Sequence, residues 1–185
     1  MNNKTNYFSH SSAIVETTNI GDNTRIWGFT HIMDDVIIGK SCNIGGNCFI
    51  ESGVVIGDNV VIKNGISIWN GIIIESDVFL GPHMILANDL NPRSGFPKPL
   101  VKTTFRKGST IGAGVVVLPG IDIGEYSFSG AGSVLTKSVS AQSLVYGNPA
   151  EQKGWVCVCG LKLSENFSCS CGKNFNFTNG EIIAL

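Results

Sequence analysis

Ile or Leu recurs at every sixth position of this chain from Ile14, Ile20, Ile26 and Ile32 onward to Ile74, Leu80 and Leu86, thirteen times without a miss. Four residues after most of these stands a small or β-branched side chain, as at Thr18, Thr24, Cys42, Cys48, Val54, Ile72 and Val78. A period of six fits neither the helical repeat nor a simple strand alternation. It predicts a solenoid in which each hexapeptide supplies a short strand and a tight turn, the large aliphatic and the residue four later facing the axis. Coils stacked about 4.8 Å apart then pair as parallel strands. Ile plus Val outnumber Leu 37 to 10, and there are 23 glycines, which disfavours Leu-rich helices and suits β-branched strands broken by turns.

The frame resumes at Ile111, Val117 and Ile123 and runs on through the weaker side chains Ser129, Leu135 and Ala141. From Leu86 to Ile111 is 25 residues, one more than four hexapeptides, so the chain is expected to leave the coil over about 87–108 and return. That excursion holds Pro92, Pro97 and Pro99. It also carries Arg93, Lys98, Lys102, Arg106 and Lys107 against Asp89, a net +4 where the rest of the chain sums to −5. A solvated flap is one reading; a functional loop is the usual one for this length in a compact repeat.

The formal net charge is −1, which gives no general reason to expect nucleic acid or an anionic membrane as partner. No apolar run reaches the roughly 18 residues of a membrane helix, and the first ten residues lack the apolar core of a secretory signal. A soluble, cytoplasmic protein is expected.

After Gly154 the period stops. Cys157-Val158-Cys159-Gly160 and Cys169-Ser170-Cys171-Gly172 then form two Cys-x-Cys-Gly pairs nine residues apart. Four thiolates can hold a structural zinc, which small appendages often need; a metal-free remnant and a disulfide are the alternatives. The expected organisation is a solenoid over 1–153 and a small Cys-rich appendage, zinc-ribbon-like in composition, over 154–185. Cys42 and Cys48 sit at inward positions and read as small core residues.

The hexapeptides resemble the left-handed parallel β-helix acyltransferases, over nearly all of 8–153. The segments IWNG (68–71), FLGPHMILANDLNPRS (79–94), IGAGVVVLPGIDIG (111–124), GAGSVLTKSV (130–139) and YGNPA (146–150) look like the N-acetyltransferases of nucleotide-diphosphate-linked 3-amino sugars. The left hand of the coil is an implication of that resemblance. So are an acetyl-CoA co-substrate, a homotrimer with sites between subunits, and a role in surface polysaccharide synthesis such as O-antigen of lipopolysaccharide. IWNG leans to the branch using a dTDP-linked 3-amino-3,6-dideoxyhexose. The Cys-x-Cys-Gly tail resembles the branch using a UDP-linked 2-acetamido-3-amino glucuronate.

Acetyl transfer needs a neutral amine, a positioned thioester carbonyl and an outlet for protons. His83 is the candidate base, because histidine is the side-chain type that exchanges protons near neutrality; it also reads as a substrate contact or an exposed turn residue. Asn70 and Asn88 stand 18 residues apart and should stack on successive coils, either to orient a sugar amine or as an asparagine ladder satisfying turn backbone. The resemblance favours Asn88 as a sugar contact. Trp69 can stack on a base or sugar or cover the prism face, and Arg93, Lys102 and the other loop cations can neutralise a pyrophosphate. The resemblance points to backbone around Ala113 and Ala131 for the pantetheine arm, and to Lys137, Asn148, Pro149 and Lys153 for the adenosine end.

Two other classes compete. A β-helical carbonic anhydrase needs convergent histidines, and His10, His31 and His83 occupy different hexapeptide positions with no pair separated by a multiple of 18. A structural or ice-binding solenoid would want a regular surface without a basic flap. An O-acetyl transferase on the same scaffold remains the enzymatic alternative.

Overall fold

A computed structural model describes residues 6–185 apart from 97 and 179. Pro97 of the expected loop, and the first half of the segment read for a signal, lie outside the described residues. The described chain is a parallel β-solenoid with no helix, so none is long and apolar enough to cross a membrane. One face stacks Phe8–Ser9, Arg25–Ile26, Asn43–Ile44, Val61–Ile62, Phe79–Leu80, Thr110–Ile111, Phe128–Ser129 and Ser143–Gly147 in that order, giving eight layers. The second face carries His31–Ile32, Phe49–Ile50, Ser67–Ile68 and, in a further sheet, Ile85–Leu86, Val116–Val117 and Val134–Leu135. The third carries Ile37–Ile38, Val55–Ile56, Ile72–Ile74, Thr103–Phe105 and Asp122–Ile123.

The period explains itself in the packing. Ile26, Ile32, Ile44, Ile50, Ile62 and Leu80 are fully buried on the axis, and Val36, Val54, Val60 and Val78 fill the space between them. Cys42 and Cys48 belong to this core; burial pushes both thiols up from their ordinary range, and their Sγ atoms donate to the Gly57 and Lys63 carbonyls. At each corner the residue three after the large aliphatic has positive φ, in the series Asn23, Phe29, Asp35, Ser41, Asn47, Gly53, Asn59, Gly65, Gly71, Asp77 and His83. This is the conformation Gly, Asn and Asp tolerate best, hence their recurrence there. The glycines directly after the aliphatics have a different cause. A Cβ at Gly81 would lie 2.6 Å from the backbone nitrogen of Ala113 in the next coil, so the coils could not close on one another.

Four positions depart from the expected frame. Val15, not Ile14, pairs with Ile32, and Ile14 is 59% exposed. Correspondingly Thr17 is buried and Thr18 exposed, because the Thr17 hydroxyl donates to the Val36 carbonyl at 2.7 Å and draws that residue inward. Near the other end Val139 pairs with Ile123, while Ala141 is exposed. The Ser138 hydroxyl accepts from Asp122 N at 3.0 Å and tightens that turn. The largest correction concerns the loop. Phe105 is fully buried in the axial position facing Ile74 and Ile123, so the frame resumes there and not at Ile111. The excursion therefore ends at 102, and Arg106 and Lys107 are corner residues of the coil: Arg106 pairs with Glu75 at 3.0 Å and Asp122 at 3.4 Å, and Lys107 lies 3.9 Å from Asp77.

Beyond the last coil, Ser143–Gly147 turns through Asn148 and Pro149 into the antiparallel strand Ala150–Trp155. A second, smaller hydrophobic cluster follows, made by Cys157, Leu163, Cys169, Phe175 and Ile182 with Trp155 and Phe167 against it.

Candidate active site

One edge of the prism, where the first face turns into the second, collects the residues with chemistry. Backbone bonds run along it without interruption: Asn47 N to Gly28 O, Gly65 N to Gly46 O, His83 N to Asn64 O, Gly114 N to Pro82 O and Gly132 N to Ala113 O, at 2.8–3.1 Å. The edge thus places Ala131 above Ala113, Ala113 above Pro82-His83, and Asn64 and Gly65 below. Both alanines are exposed corner residues. His83 and the backbone expected for the pantetheine arm are brought together.

His83 is exposed and has φ 57. Its ring lies across Gly65, where an added Cβ would collide with the imidazole Nδ1 and Cε1. The absent side chain at Gly65 makes room for the histidine. The ring borders a cleft of about 390 Å³ that also contains Ser67, Trp69, Ile85 and Leu86. Trp69 Nε1 donates to the Leu86 carbonyl at 2.9 Å, and its ring packs 5.7 Å from that of Phe49. Trp69 therefore covers the second face and walls the cleft from the far side.

Asn70 and Asn88 stack, as their spacing predicts, but at the next edge. Asn88 Nδ2 donates to the Asn70 carbonyl at 3.1 Å, and Asn70 N donates to Glu51 Oε2 at 2.7 Å, so both serve turn backbone. Five residues of extended chain, roughly 16 Å, separate Asn88 from His83. A single chain does not bring them together. The loop starts at this second edge and returns to it, with Val101 N donating to the Asn88 carbonyl. Arg93, Lys98 and Lys102 are exposed and make no ion pair among the described residues.

At the upper end Lys137, Ala150 and Gln152 line a cleft of about 200 Å³ beside the exposed Asn148 and Pro149. Lys153 is held by Glu151, Nζ to Oε2 at 2.7 Å; this contact raises the lysine and lowers the carboxyl from their ordinary ranges. Its charge is already matched by a neighbour.

The four tail cysteines converge. Their sulfurs all lie within 4.8 Å of one another, with Cys157 to Cys171 and Cys159 to Cys169 at 3.6 Å. Those separations are far beyond the ~2.05 Å of a disulfide. They match the ~3.8 Å edges of a sulfur tetrahedron around a metal with ~2.3 Å bonds. The two Cys-x-Cys-Gly turns share one geometry, Gly160 N donating to Cys157 O and Cys157 N to Leu161 O in the first, Gly172 N to Cys169 O and Cys169 N to Lys173 O in the second. Hydrogen bonding from the Lys173 backbone brings the Cys171 thiol down to about 7.

The model of bacterial transferase hexapeptides (six repeats) matches residues 17–52, and that of the hexapeptide repeat of succinyl-transferases matches 107–137. Over 182 residues the chain is 54% identical to a dTDP-3-amino-3,6-dideoxy-α-D-galactopyranose 3-N-acetyltransferase of Aneurinibacillus thermoaerophilus, covering 96% of this chain and 95% of the relative. The chain belongs to the hexapeptide-repeat transferase family. A Bacillus cereus protein described as an acetyltransferase superposes with TM-score 0.56 at 25% identity, over 82% of this chain and 78% of that one. The acetyltransferase domain of PglB from Neisseria gonorrhoeae, solved with acetyl coenzyme A, shares the fold of this transferase with TM-score 0.59 at 19% identity, over 80% of this chain and 58% of that one.

Sequence reasoning passed over one part of this transferase's edge. Trp27 and Phe29 sit on it below Asn47, with Lys63 on the coil directly beneath His83. The signal was present: Phe29 occupies a corner position that the repeat otherwise gives mainly to Gly, Asn or Asp.

Proposed function

We propose that this chain transfers the acetyl group of acetyl-CoA to the 3-amine of a dTDP-linked 3-amino-3,6-dideoxyhexose. The relative that is 54% identical over 182 residues carries the reading and favours dTDP over UDP. The geometry agrees with it. Backbone groups at Ala113 and Ala131 bond the pantetheine arm, and Lys137 with the Asn148-Pro149 turn takes the adenosine end, with Lys153 a weaker contact because Glu151 holds it. The thioester then lies beside His83. The amine attacks the thioester carbonyl, the C–N bond forms as the C–S bond breaks, and His83 takes the proton the nitrogen loses and returns it to the departing sulfur, which leaves as CoA thiol.

Asn88 stands too far from His83 to serve it within one chain, and Arg93 and Lys102 belong to the loop that leaves and re-enters the coil at the Asn88 edge. In this reading they reach it from a neighbouring chain of a homotrimer, Asn88 orienting the sugar and the two cations flanking the pyrophosphate. Asn70 supports Asn88, and Trp69 bounds the sugar. Both co-substrates are cytoplasmic metabolites, which places the reaction in the cytoplasm, ahead of surface polysaccharide assembly.

The test is thiol release from acetyl-CoA across dTDP- and UDP-linked amino sugars. Turnover with the dTDP-linked 3-amine is expected; release with hydroxyl acceptors and none with any amine would replace this reading by O-acetyl transfer.

We read residues 154–185 as an appended module whose four thiolates hold zinc, a structural role with all four positions filled by protein. The purified chain should contain one zinc per chain by elemental analysis. Cys159→Ser should lower that content, and the paired tail strands Phe175–Thr178 and Glu181–Ala184 should lose amide protection while the solenoid keeps it. A metal-free protein with an ordered tail contradicts this.

A further inference from the structure

The edge that carries His83 continues downward for three coils and opens into a second cleft, about 520 Å³, bordered by Trp27, Phe29, Asn43, Asn47, Lys63 and Asn64 among others. Trp27 is fixed there. Its Nε1 donates to Asn43 Oδ1 at 2.9 Å, and its ring sits 5.6 Å from that of Phe8. Phe29 is the anomaly. It is 73% exposed and holds φ 60, a conformation that a bulky side chain adopts only at a cost, in a column where the next coils have Asn47 and Gly65. A ring that strains the backbone and packs into no core is not accounted for by folding, and such outliers gather at ligand sites. Above the two aromatics, Lys63 follows the axial Ile62 and makes no ion pair among the described residues.

We propose that this cleft binds the nucleoside diphosphate end of the acceptor, the pyrimidine against Trp27 and Phe29 and the diphosphate beside Lys63. The inference rests on the amino-sugar acceptor of the preceding section. Length supports it. Phe29 and His83 are three coils apart, about 14 Å at ~4.8 Å per coil. From the amine-bearing carbon of the hexose to the base nitrogen run about twelve bonds, which at the ~1.2 Å of advance per bond of an extended chain come to ~15 Å. A ligand with its base at Phe29 thus has its amine at the histidine. The chemistry also fits: aromatic rings for a base, amides at Asn47 and Asn64 for its carbonyl and imide edge, and a cation between base and sugar. The loop cations then act from the neighbouring chain on a phosphate already seated here.

Three full-length variants test the placement, with the Michaelis constant for the nucleotide sugar and the dissociation constant for dTDP and for thymidine as readouts. Trp27→Ala should raise both the Michaelis constant and the dTDP constant by about tenfold or more while that for acetyl-CoA stays within about twofold. Phe29→Gly should weaken the acceptor similarly and yet raise Tm, because glycine relieves the backbone. That opposition separates a ligand contact from a structural one. Lys63→Met should weaken dTDP and leave thymidine unchanged. If either aromatic variant keeps its acceptor constants within about twofold, the base binds elsewhere and the proposal falls. A wild-type chain that acetylates no amino sugar and binds neither dTDP nor UDP removes the acceptor reading itself and this subsite with it.

Discussion

His83→Asn lowers kcat at neutral pH by about 100-fold or more and leaves the Michaelis constant for acetyl-CoA within about twofold. Asparagine is the informative replacement, because it accepts the positive φ of 57 that this corner imposes and so removes the ring without disturbing the turn. Two features make a large effect the expected one. The imidazole is the titratable side chain that borders the cleft with Trp69, and it stands directly below the Ala113 corner that would present the thioester. A base placed between those two sites serves bond formation, so in the proposed reaction its loss falls on the chemical step and flattens the acid limb of the pH profile of kcat/KM. Steady-state kinetics from pH 5 to 9 with wild type and variant is the check. A rise in the Michaelis constant for the sugar with kcat unchanged would make His83 a binding residue, and the proton would then leave through the sulfur.

Phe105→Ala destabilises the solenoid by about 4 kcal/mol, or about 8–16 °C in Tm for a chain of this size. Phe105 is fully buried, aligned with Ile74 on one side and Ile123 on the other, and alanine would leave a void that parallel coils on fixed backbone spacing cannot close. The effect should also reach function. Thr103–Phe105 is where the extruded loop re-enters the coil, so freeing it releases the carriers of Arg93 and Lys102. Thermal unfolding followed by circular dichroism measures the first effect; a Tm within about 2 °C of wild type would show that the aromatic is not the anchor of the return.

Phe105 also marks the limit of what the period alone discloses. A six-residue repeat of aliphatics is visible because burial on the axis demands large, stiff side chains, and the αL corners add Gly, Asn and Asp in step with it. An aromatic that fills the same axial slot carries no aliphatic signature, so the end of the loop reads late and two corner cations, Arg106 and Lys107, read as loop cations. At the chain ends the ambiguity is different. Ile14 and Val15 are both good strand residues, and which faces inward is decided by the Thr17 hydroxyl reaching Val36. Ala141 and Val139 differ by the turn that Ser138 tightens.

The candidate site was legible in the same uneven way. Spacing by multiples of the coil stacks Asn70 with Asn88, and puts His83 on one edge with Ala113 once the loop is discounted. The same spacing, five residues from His83 to Asn88, also sets them on two different edges separated by a face. What it does not show is that Lys153 is held by Glu151, since that contact depends on how two side chains on one side of the strand Ala150–Trp155 reach each other. The convergence of Cys157, Cys159, Cys169 and Cys171 was readable from two repeated turns, because identical local geometry twelve residues apart brings the two pairs face to face.

In the proposed reaction one edge of the prism holds both co-substrates, with His83 at their junction. A crystal structure of the wild-type chain with CoA and the dTDP-linked 3-amino sugar tests it most directly. The CoA sulfur and the sugar amine are expected within about 4 Å of the His83 ring, with the pantetheine above it and the nucleotide below. A sugar amine seated at the Asn70–Asn88 edge of the same chain, a full face away from the histidine, would contradict it.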